Sequence, residues 1–472
     1  MHLGSWKKQN DLEFANYRSY AHELADYCNQ MNYTHVELLP IMEHPLDESW
    51  GYQVSGFFAP TSRYGSFEDF KYFVNYMHNH NIGVILDWVP GHFPMDDFSL
   101  NYFDGTPLYE EKNPKMALHP HWSTSIFDYS SKQVCNFLIA SALFWLEEMH
   151  VDGFRVDAVA SLLYLDFGRN GNDWTPNIHG TNFNIEAIEF IKHLNSIIRK
   201  RCEGKLMIAE ESSSYEKVTA SVEDGGLGFD LKWKMGWMND SLSYFSSDPI
   251  YRKYKHNNLT FSMWYAYSEK FLLPLSHDEV VHGKKSIINK LNSNEWTQFA
   301  NVRLLYSYMI CHPGKKLTFM GFEVGQRSEW NCKDQVNWDL LDKFEHKSLQ
   351  KMVKDLNRFY LENDAFWKYD FNDSKFKWVE VNDADQSIIS YIRYGTEKTF
   401  FCIHNCTPVN RQSYFVHYNG VDFIKEVFNT DMSEYGGSNN GNLKIEKINP
   451  DGFEINLAPM ATMIFEVICK KA

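Results

Sequence analysis

Six short runs along the first three quarters of the chain are apolar on both faces, and longer amphipathic stretches separate them. The runs are HVELL (35–39), NIGVILDWV (81–89), DGFRVD (152–157), KLMIAE (205–210), KFLLPLSHD (270–278) and KKLTFM (315–320). Two of the amphipathic stretches are SFEDFKYFVNYMHNHN (66–81) and VCNFLIASALFWLEEMH (134–150). In the second, Phe137, Leu138, Ala142, Trp145 and Met149 follow a helical period. A strand that is apolar on both faces must be covered on both, which is the situation of parallel strands in βα units. This many units in a span of this length predicts a closed (β/α)8 TIM barrel, with an open doubly wound sheet as the rival arrangement.

The pattern then changes. FKWVEV (376–381), SIISYIRY (387–394), KTFFCIHN (398–405), IKEVFN (424–429), GFEINL (452–457) and ATMIFEVI (461–468) are short and strand-like, with turn signals such as NDADQ and NPDG between them. The expected organisation is a catalytic barrel over 1–365 and a small C-terminal antiparallel β-sandwich over 366–472.

Four of the barrel runs end in a carboxylate: Asp87, Asp157, Glu210 and Asp278. In a barrel all C-terminal strand ends meet at one mouth, where enzymes of this architecture place their chemistry. Any one of these acids can simply cap the helix that follows, but four together point to acid/base work on an uncharged polyol. Arg155 precedes Asp157 by two residues, so both side chains leave a strand on the same face, and the guanidinium is expected to lower the Asp157 pKa. Glu210 follows Met207, Ile208 and Ala209, with Glu211 turned to the opposite face. Apolar surroundings and a facing carboxylate are expected to raise its pKa. A carboxylate kept charged and a carboxyl kept protonated suit a retaining glycosidic mechanism, with the two groups roughly 5–5.5 Å apart. His92 and His277 flank the first and last acids, where an imidazole can donate to sugar hydroxyls or serve the fold.

Composition narrows the partners. With 46 Lys+Arg against 61 Asp+Glu the formal charge is −15, which disfavours nucleic acid or an anionic membrane as partner. Aromatics reach 16%, and aromatic faces both fill cores and stack on sugar rings. No apolar run approaches the length of a membrane span, and MHLGSWKKQND has no signal-peptide core. The eight cysteines (Cys28, Cys135, Cys202, Cys311, Cys332, Cys402, Cys406, Cys469) lack zinc spacing, and scattered thiols of this kind are expected in a cytoplasmic protein. Neither a cofactor nor a metal is implied. Acids around DFG (166–168) and NDADQ (382–386) read as solvated turns rather than calcium loops.

Four segments resemble the signature regions of the α-amylase superfamily: DWVPGH (87–92), GFRVDAVAS (153–161), AEES (209–212) and LSHDEV (275–280). The resemblance narrows to the bacterial glycogen branching enzymes, the 1,4-α-glucan branching enzymes, through HLGSW (2–6), SWGYQVSGFFAPTSRYG (49–65), GGLGFDLKWKMGWMND (225–240) and LPLSHDEVVHGKKS (273–286). It covers nearly the whole chain, but not the N-terminal β-sandwich modules usual in that family. The resemblance implies Asp157 as nucleophile, Glu210 as general acid/base and Asp278 as transition-state stabiliser. Tyr52, Asp87, His92, Arg155 and His277 would line the same sugar subsite.

Implied too are an α-1,4-glucan substrate (amylose or glycogen), α-1,6 branches as product and a monomeric enzyme. Trp50 and Trp330 are candidate stacking platforms near the mouth, with core packing the favoured alternative for either one. Two stretches depart from the family pattern, GTNFN (180–184) and FEVGQRSEW (322–330), and both are expected to reshape substrate grooves. The alternatives are a hydrolase or 4-α-glucanotransferase with the same acids, and a non-catalytic glucan-binding protein.

Overall fold

Helix boundaries follow local chemistry. Ser66 and Asp69 form a reciprocal capping box at the start of the helix Phe67–Asn79. Asn16, Ser131 and Asn184 cap the helices Tyr17–Met31, Lys132–Leu143 and Ile185–Arg201. The stretch predicted as one helix over 134–150 ends instead in a π turn, Phe144–Glu148. There the Trp145 indole N–H donates to the Phe57 carbonyl, which also accepts from Ser141 Oγ. The wider turn accompanies this tie to a neighbouring strand.

The structure, a computed structural model, describes residues 1–9, 14–171, 173–291, 294–442 and 448–469. The last three residues of the predicted sandwich, 470–472, and the side chain of Cys469 therefore lie outside the description. Two compact units are present: Met1–Trp233 with Asn331–Gln335, and Lys234–Trp330 with Val336–Ala472.

In the first unit, β1 (His35–Leu38), β2 (Gly83–Trp88), β3 (Gly153–Val156), β4 (Leu206–Ala209) and β5 (Leu231–Trp233) pair in that order, all parallel. Four of these strands are the expected runs, and their residues are largely buried as both-face apolar patterning requires. The fifth, β5, was missed because three residues inside a Gly- and Lys-rich stretch carry too little apolar signal. Gly153 sits at φ 158° where a Cβ would lie 2.3 Å from the Leu206 carbonyl oxygen, so a side chain there would push β3 off β4.

The second unit contains the parallel pair β6 (Phe271–Leu275) and β7 (Lys315–Thr318). It also contains the strands β8 (Phe376–Glu380), β9 (Ile388–Tyr394), β10 (Thr399–Asn405), β11 (Arg411–His417), β12 (Val421–Asn429), β13 (Gly452–Leu457) and β14 (Ala461–Cys469). One antiparallel sheet runs β8-β9-β10-β14-β12, and β11 pairs with β13 in a second. Ile392, Phe401, Ile403, Phe453 and Phe465 fill the core between them. Strand β11 was not expected, since RQSYFVH is polar on its exposed face.

Candidate active site

Each of the four acids sits at a strand end. Asp87 occupies the penultimate position of β2, Asp157 and Glu210 directly follow β3 and β4, and Asp278 lies in the 3-10 turn His277–Val280 after β6. Parallel pairing puts Arg155 level with Asp87 and with Ile208. The first unit thus collects Tyr52, Asp87, Arg155, Asp157 and Glu210 into one cluster.

Arg155 is its centre. The side chain is 1% exposed, and Nη1 donates to both oxygens of Asp87 at 2.6 Å and to Asp157 Oδ1 at 2.8 Å. Nη2 lies 2.9 Å from Glu210 Oε2, which also accepts from the backbone N–H of Ala158 at 2.7 Å. Tyr52 donates its hydroxyl to Asp87 Oδ2 at 2.5 Å. Burial works against the Arg155 charge, but Asp87 and Glu210, with Tyr52 and Asp157, outweigh it and hold the guanidinium firmly protonated. Burial also pushes the Asp87 carboxyl above its usual range, and Arg155 pulls it back only in part. Ala158 adopts φ 46°, a left-handed conformation that an alanine resists, immediately after Asp157.

The surroundings of Glu210 differ from the sequence expectation. Instead of a purely apolar setting, it has a guanidinium and a backbone N–H as partners. Glu211 does face the other way, where it is fully buried and pairs with Lys232 at 2.5 Å. His92 is buried with its imidazole 5.0 Å from Trp122, and burial pulls its pKa down to about 4, so it is neutral near pH 7.

Asp278 and His277 belong to the second unit. His277 Nε2 is 3.4 Å from Asp278 Oδ1, and the Asp278 carboxylate is 41% exposed. His277 packs near Phe319 and Trp330, and Trp330 is itself buried, so it is a core residue and not a stacking platform. Phe322 and Val324 are likewise buried. Asn184, the last residue of GTNFN, serves as a helix cap. Among the described residues no group of three or more His, Cys, Asp or Glu side chains could hold a metal ion.

Two members of the cluster escaped the sequence reading. The Arg155 guanidinium lies 4.7 Å above the Trp233 ring on β5, a cation–π contact. Glu37, on β1, feels Arg155, Asp87 and Glu210, and burial raises its carboxyl to about 7 despite the opposing pull of Arg155. An acid flanked by Val36 and Leu38 inside a both-face apolar run was the signal available for Glu37.

The family model described as "Alpha amylase, catalytic domain" matches residues 22–104 and 101–416, and that described as "Alpha amylase, C-terminal all-beta domain" matches 378–468. The chain is also similar in fold to an α-amylase from Geobacillus thermoleovorans solved with acarbose (TM-score 0.73, 13% identity, 99% of this chain and 97% of that one). Trehalose-6-phosphate hydrolase of Bacillus licheniformis is similar as well (TM-score 0.72, 14% identity, 100% and 98%). The fold class is thus the expected one, a (β/α)8 barrel followed by an antiparallel all-β domain.

Proteins named 1,4-alpha-glucan branching enzyme GlgB are its relatives in sequence. That of Protochlamydia amoebophila is 57% identical over 99% of this chain and 65% of its own length. For Chlamydia caviae the figures are 52%, 99% and 66%, and for Chlamydia trachomatis serovar L2 they are 48%, 99% and 67%. The chain belongs to the alpha-amylase family and, within it, to the group formed by the 1,4-alpha-glucan branching enzymes. It spans about two thirds of the length of these relatives.

Proposed function

We propose that the protein is a 1,4-α-glucan branching enzyme, a glycosyltransferase working by a retaining double displacement. The observation that carries this reading is the single buried guanidinium shared by Asp87, Asp157 and Glu210. It fixes two carboxylates on adjacent strands for successive roles on one bond. Asp157 is the nucleophile: an Oδ lone pair attacks the anomeric carbon of an α-1,4 linkage. As that carbon's bond to the leaving oxygen breaks, Glu210 gives its proton to this oxygen, and a covalent glycosyl-Asp157 ester remains. Glu210, now a carboxylate, takes the proton from the 6-hydroxyl of an acceptor glucan. The freed oxygen attacks the anomeric carbon, the ester bond to Asp157 breaks, and an α-1,6 branch forms.

Asp278 is the proposed transition-state stabiliser, gripping ring hydroxyls, and Tyr52, Asp87, His92, Arg155 and His277 are the proposed walls of the same sugar subsite. Neutral His92 suits hydroxyl recognition, since it carries both a donor and an acceptor nitrogen. We assign the barrel to 1–365 and the β-sandwich to 366–472. The substrate is amylose or glycogen, with no nucleic-acid or membrane partner. Every group in this mechanism comes from one chain, which suits a monomer. Seven described cysteines, none of them in a disulfide, suit a cytoplasmic location. No helix among the described residues is long and apolar enough to cross a membrane.

The test is a proton NMR spectrum of amylose incubated with the protein. New α-1,6 anomeric signal without new reducing ends is the expected result. Reducing ends that rise without α-1,6 signal would replace the transferase with a hydrolase.

A further inference from the structure

Away from the Arg155 cluster, the second unit carries an apolar face that its own fold leaves uncovered. It lies on a 3-10 turn (Pro249–Lys255), a short α-helix (Asn257–Thr260) and a second 3-10 turn (Phe261–Tyr265). His256, Phe261 and Ala266 at the joints keep right-handed helical dihedrals, so the three pieces form one helical run. The inner side of the run is tied down. Arg252 is fully buried and donates to the carbonyls of Phe245, Ser247 and Cys406 and to Asn301 Oδ1. His256 Nε2 donates to the Val381 carbonyl, Tyr308 to that of Leu259 and Lys234 to that of Ser262, each at 2.8 Å. On the outer side Ile250, Tyr251, Tyr254, Phe261 and Trp264 are 55–87% exposed. A surface helix ordinarily buries its apolar stripe and turns polar groups to water; this run is held by polar groups and turns aromatic rings outward. Anchoring of this kind fixes the backbone before a partner arrives, which lowers the cost of binding one.

Size and spacing select the occupant. Residues three apart eclipse in a 3-10 turn, so Tyr251 stands level with Tyr254, and Phe261 with Trp264. At roughly 150–250 Å² for a large aromatic side chain, the five residues expose about 500–800 Å². That is at or above the roughly 300–600 Å² of the largest patch on a typical monomer, and it approaches the roughly 800 Å² that each partner gives to a standard protein interface. The residues are also placed symmetrically. Tyr254 and Phe261 lie equally far on either side of the midpoint between Asn257 and Asn258, and so do Tyr251 and Trp264. The winding mirrors this order, 3-10 then α then 3-10. Laid antiparallel on a copy of itself across a two-fold axis at that midpoint, the run sets Tyr254 against the partner's Phe261 and Tyr251 against the partner's Trp264. Lys253 and Lys255 then fall level with the partner's Ser262 and the partner's Thr260, so cation does not meet cation. Charge agrees: residues 249–268 hold no Asp or Glu in a chain of formal charge −15, so two copies repel least here. We propose that this face is a two-fold interface between two copies of the chain, closed by aromatic pairs about Asn257 and Asn258. The Arg155 cluster takes no group from the partner, so each copy keeps the one-chain chemistry described above.

The test is sedimentation velocity over a dilution series from about 100 µM to about 0.1 µM. The sedimenting mass is expected to pass from two chains to one as the protein is diluted. Trp264→Glu should weaken this association about a thousandfold, because a central aromatic is worth roughly thirtyfold and the substitution counts twice in a symmetric pair. Trp264 is 87% exposed, so an unchanged thermal melt should show that the variant is folded. Tyr254→Glu is the second variant, with the same expected loss. Register is read by cross-linking with a short bismaleimide. Asn257→Cys, at the axis, should be joined across copies well beyond the wild-type background, and Ser268→Cys, remote from the axis, should not. A one-chain mass at every concentration overturns the proposal. So does a two-chain mass that survives Trp264→Glu, or equal cross-linking at both engineered positions. A one-chain mass together with maltoheptaose binding that Trp264→Glu abolishes gives the face to a sugar and overturns the proposal as well.

Discussion

Replacing Arg155 by lysine keeps the charge and removes the fork. The guanidinium reaches Asp87 and Asp157 through Nη1 and Glu210 through Nη2. A single ammonium on a shorter lever cannot hold carboxylates from β2, β3 and β4 at once. Asp87, with two contacts, should keep the ammonium, and Asp157 and Glu210 each lose one charge-assisted hydrogen bond. At about 1.5–3 kcal/mol per bond the two come to roughly 3–6 kcal/mol of lost positioning. With tenfold in rate per about 1.36 kcal/mol, kcat/KM should fall about 10²- to 10⁴-fold. The assay is initial rate of α-1,6 bond formation on amylose by NMR, with circular dichroism melting to show that the variant is folded. Arg155→Met is the companion, leaving the clustered carboxylates without a counter-charge, and it should lose several kcal/mol of stability as well. A folded Arg155→Lys protein that keeps more than about a tenth of wild-type kcat/KM would refute the central role of the fork.

Further expectations follow from the same geometry. Asp157→Ala should abolish turnover, and a variant that still branches or cleaves glucan would remove Asp157 as nucleophile. Glu210→Gln should lose most activity on glucan yet recover part of it on a glucosyl fluoride, whose leaving group needs no proton; equal losses on both substrates would contradict the acid role. Tyr52→Phe deletes the 2.5 Å bond to Asp87, and a fall in kcat/KM of about tenfold is expected from the loss of one hydrogen bond to a charged group. Glu37 gives a pH prediction. Its carboxyl is raised from 4.5 to about 7 in the folded protein, so between these values the unfolded chain ionises first and stability falls as pH rises. The loss amounts to at most about 3 kcal/mol and is complete above pH 7. Urea melts of Glu37→Gln at pH 5 and pH 8 should show a smaller drop than wild type, and identical slopes would mean that Glu37 does not titrate there.

Much of this was legible in the chain because burial on both faces leaves a local mark. Strands β2, β4 and β6 announce themselves as largely apolar runs and β1, β3 and β7 as parts of such runs, and a carboxylate at the end of a run stands out from its neighbours. The pairing of Arg155 with Asp157 could be read from a spacing of two. Three-residue β5 and one-sided β11 left no such mark, since a short strand, or one polar on its outer face, takes its stability from its partners and not from its own composition.

What only the tertiary structure decided is who meets whom across strands. That Arg155 would hold Asp87 and Glu210 as well as Asp157 depends on the parallel registers β2-β3 and β3-β4, which bring together residues far apart in sequence. Sequence alone put Glu210 among apolar neighbours; lateral packing gave it a guanidinium and the Ala158 N–H. In the same way Trp233 came to lie under Arg155, and Glu37 acquired its raised carboxyl. Periodicity records which face of a strand is covered, because burial acts on each residue separately. Charge contacts between strands depend on register and depth, and these are set only when the whole sheet has assembled.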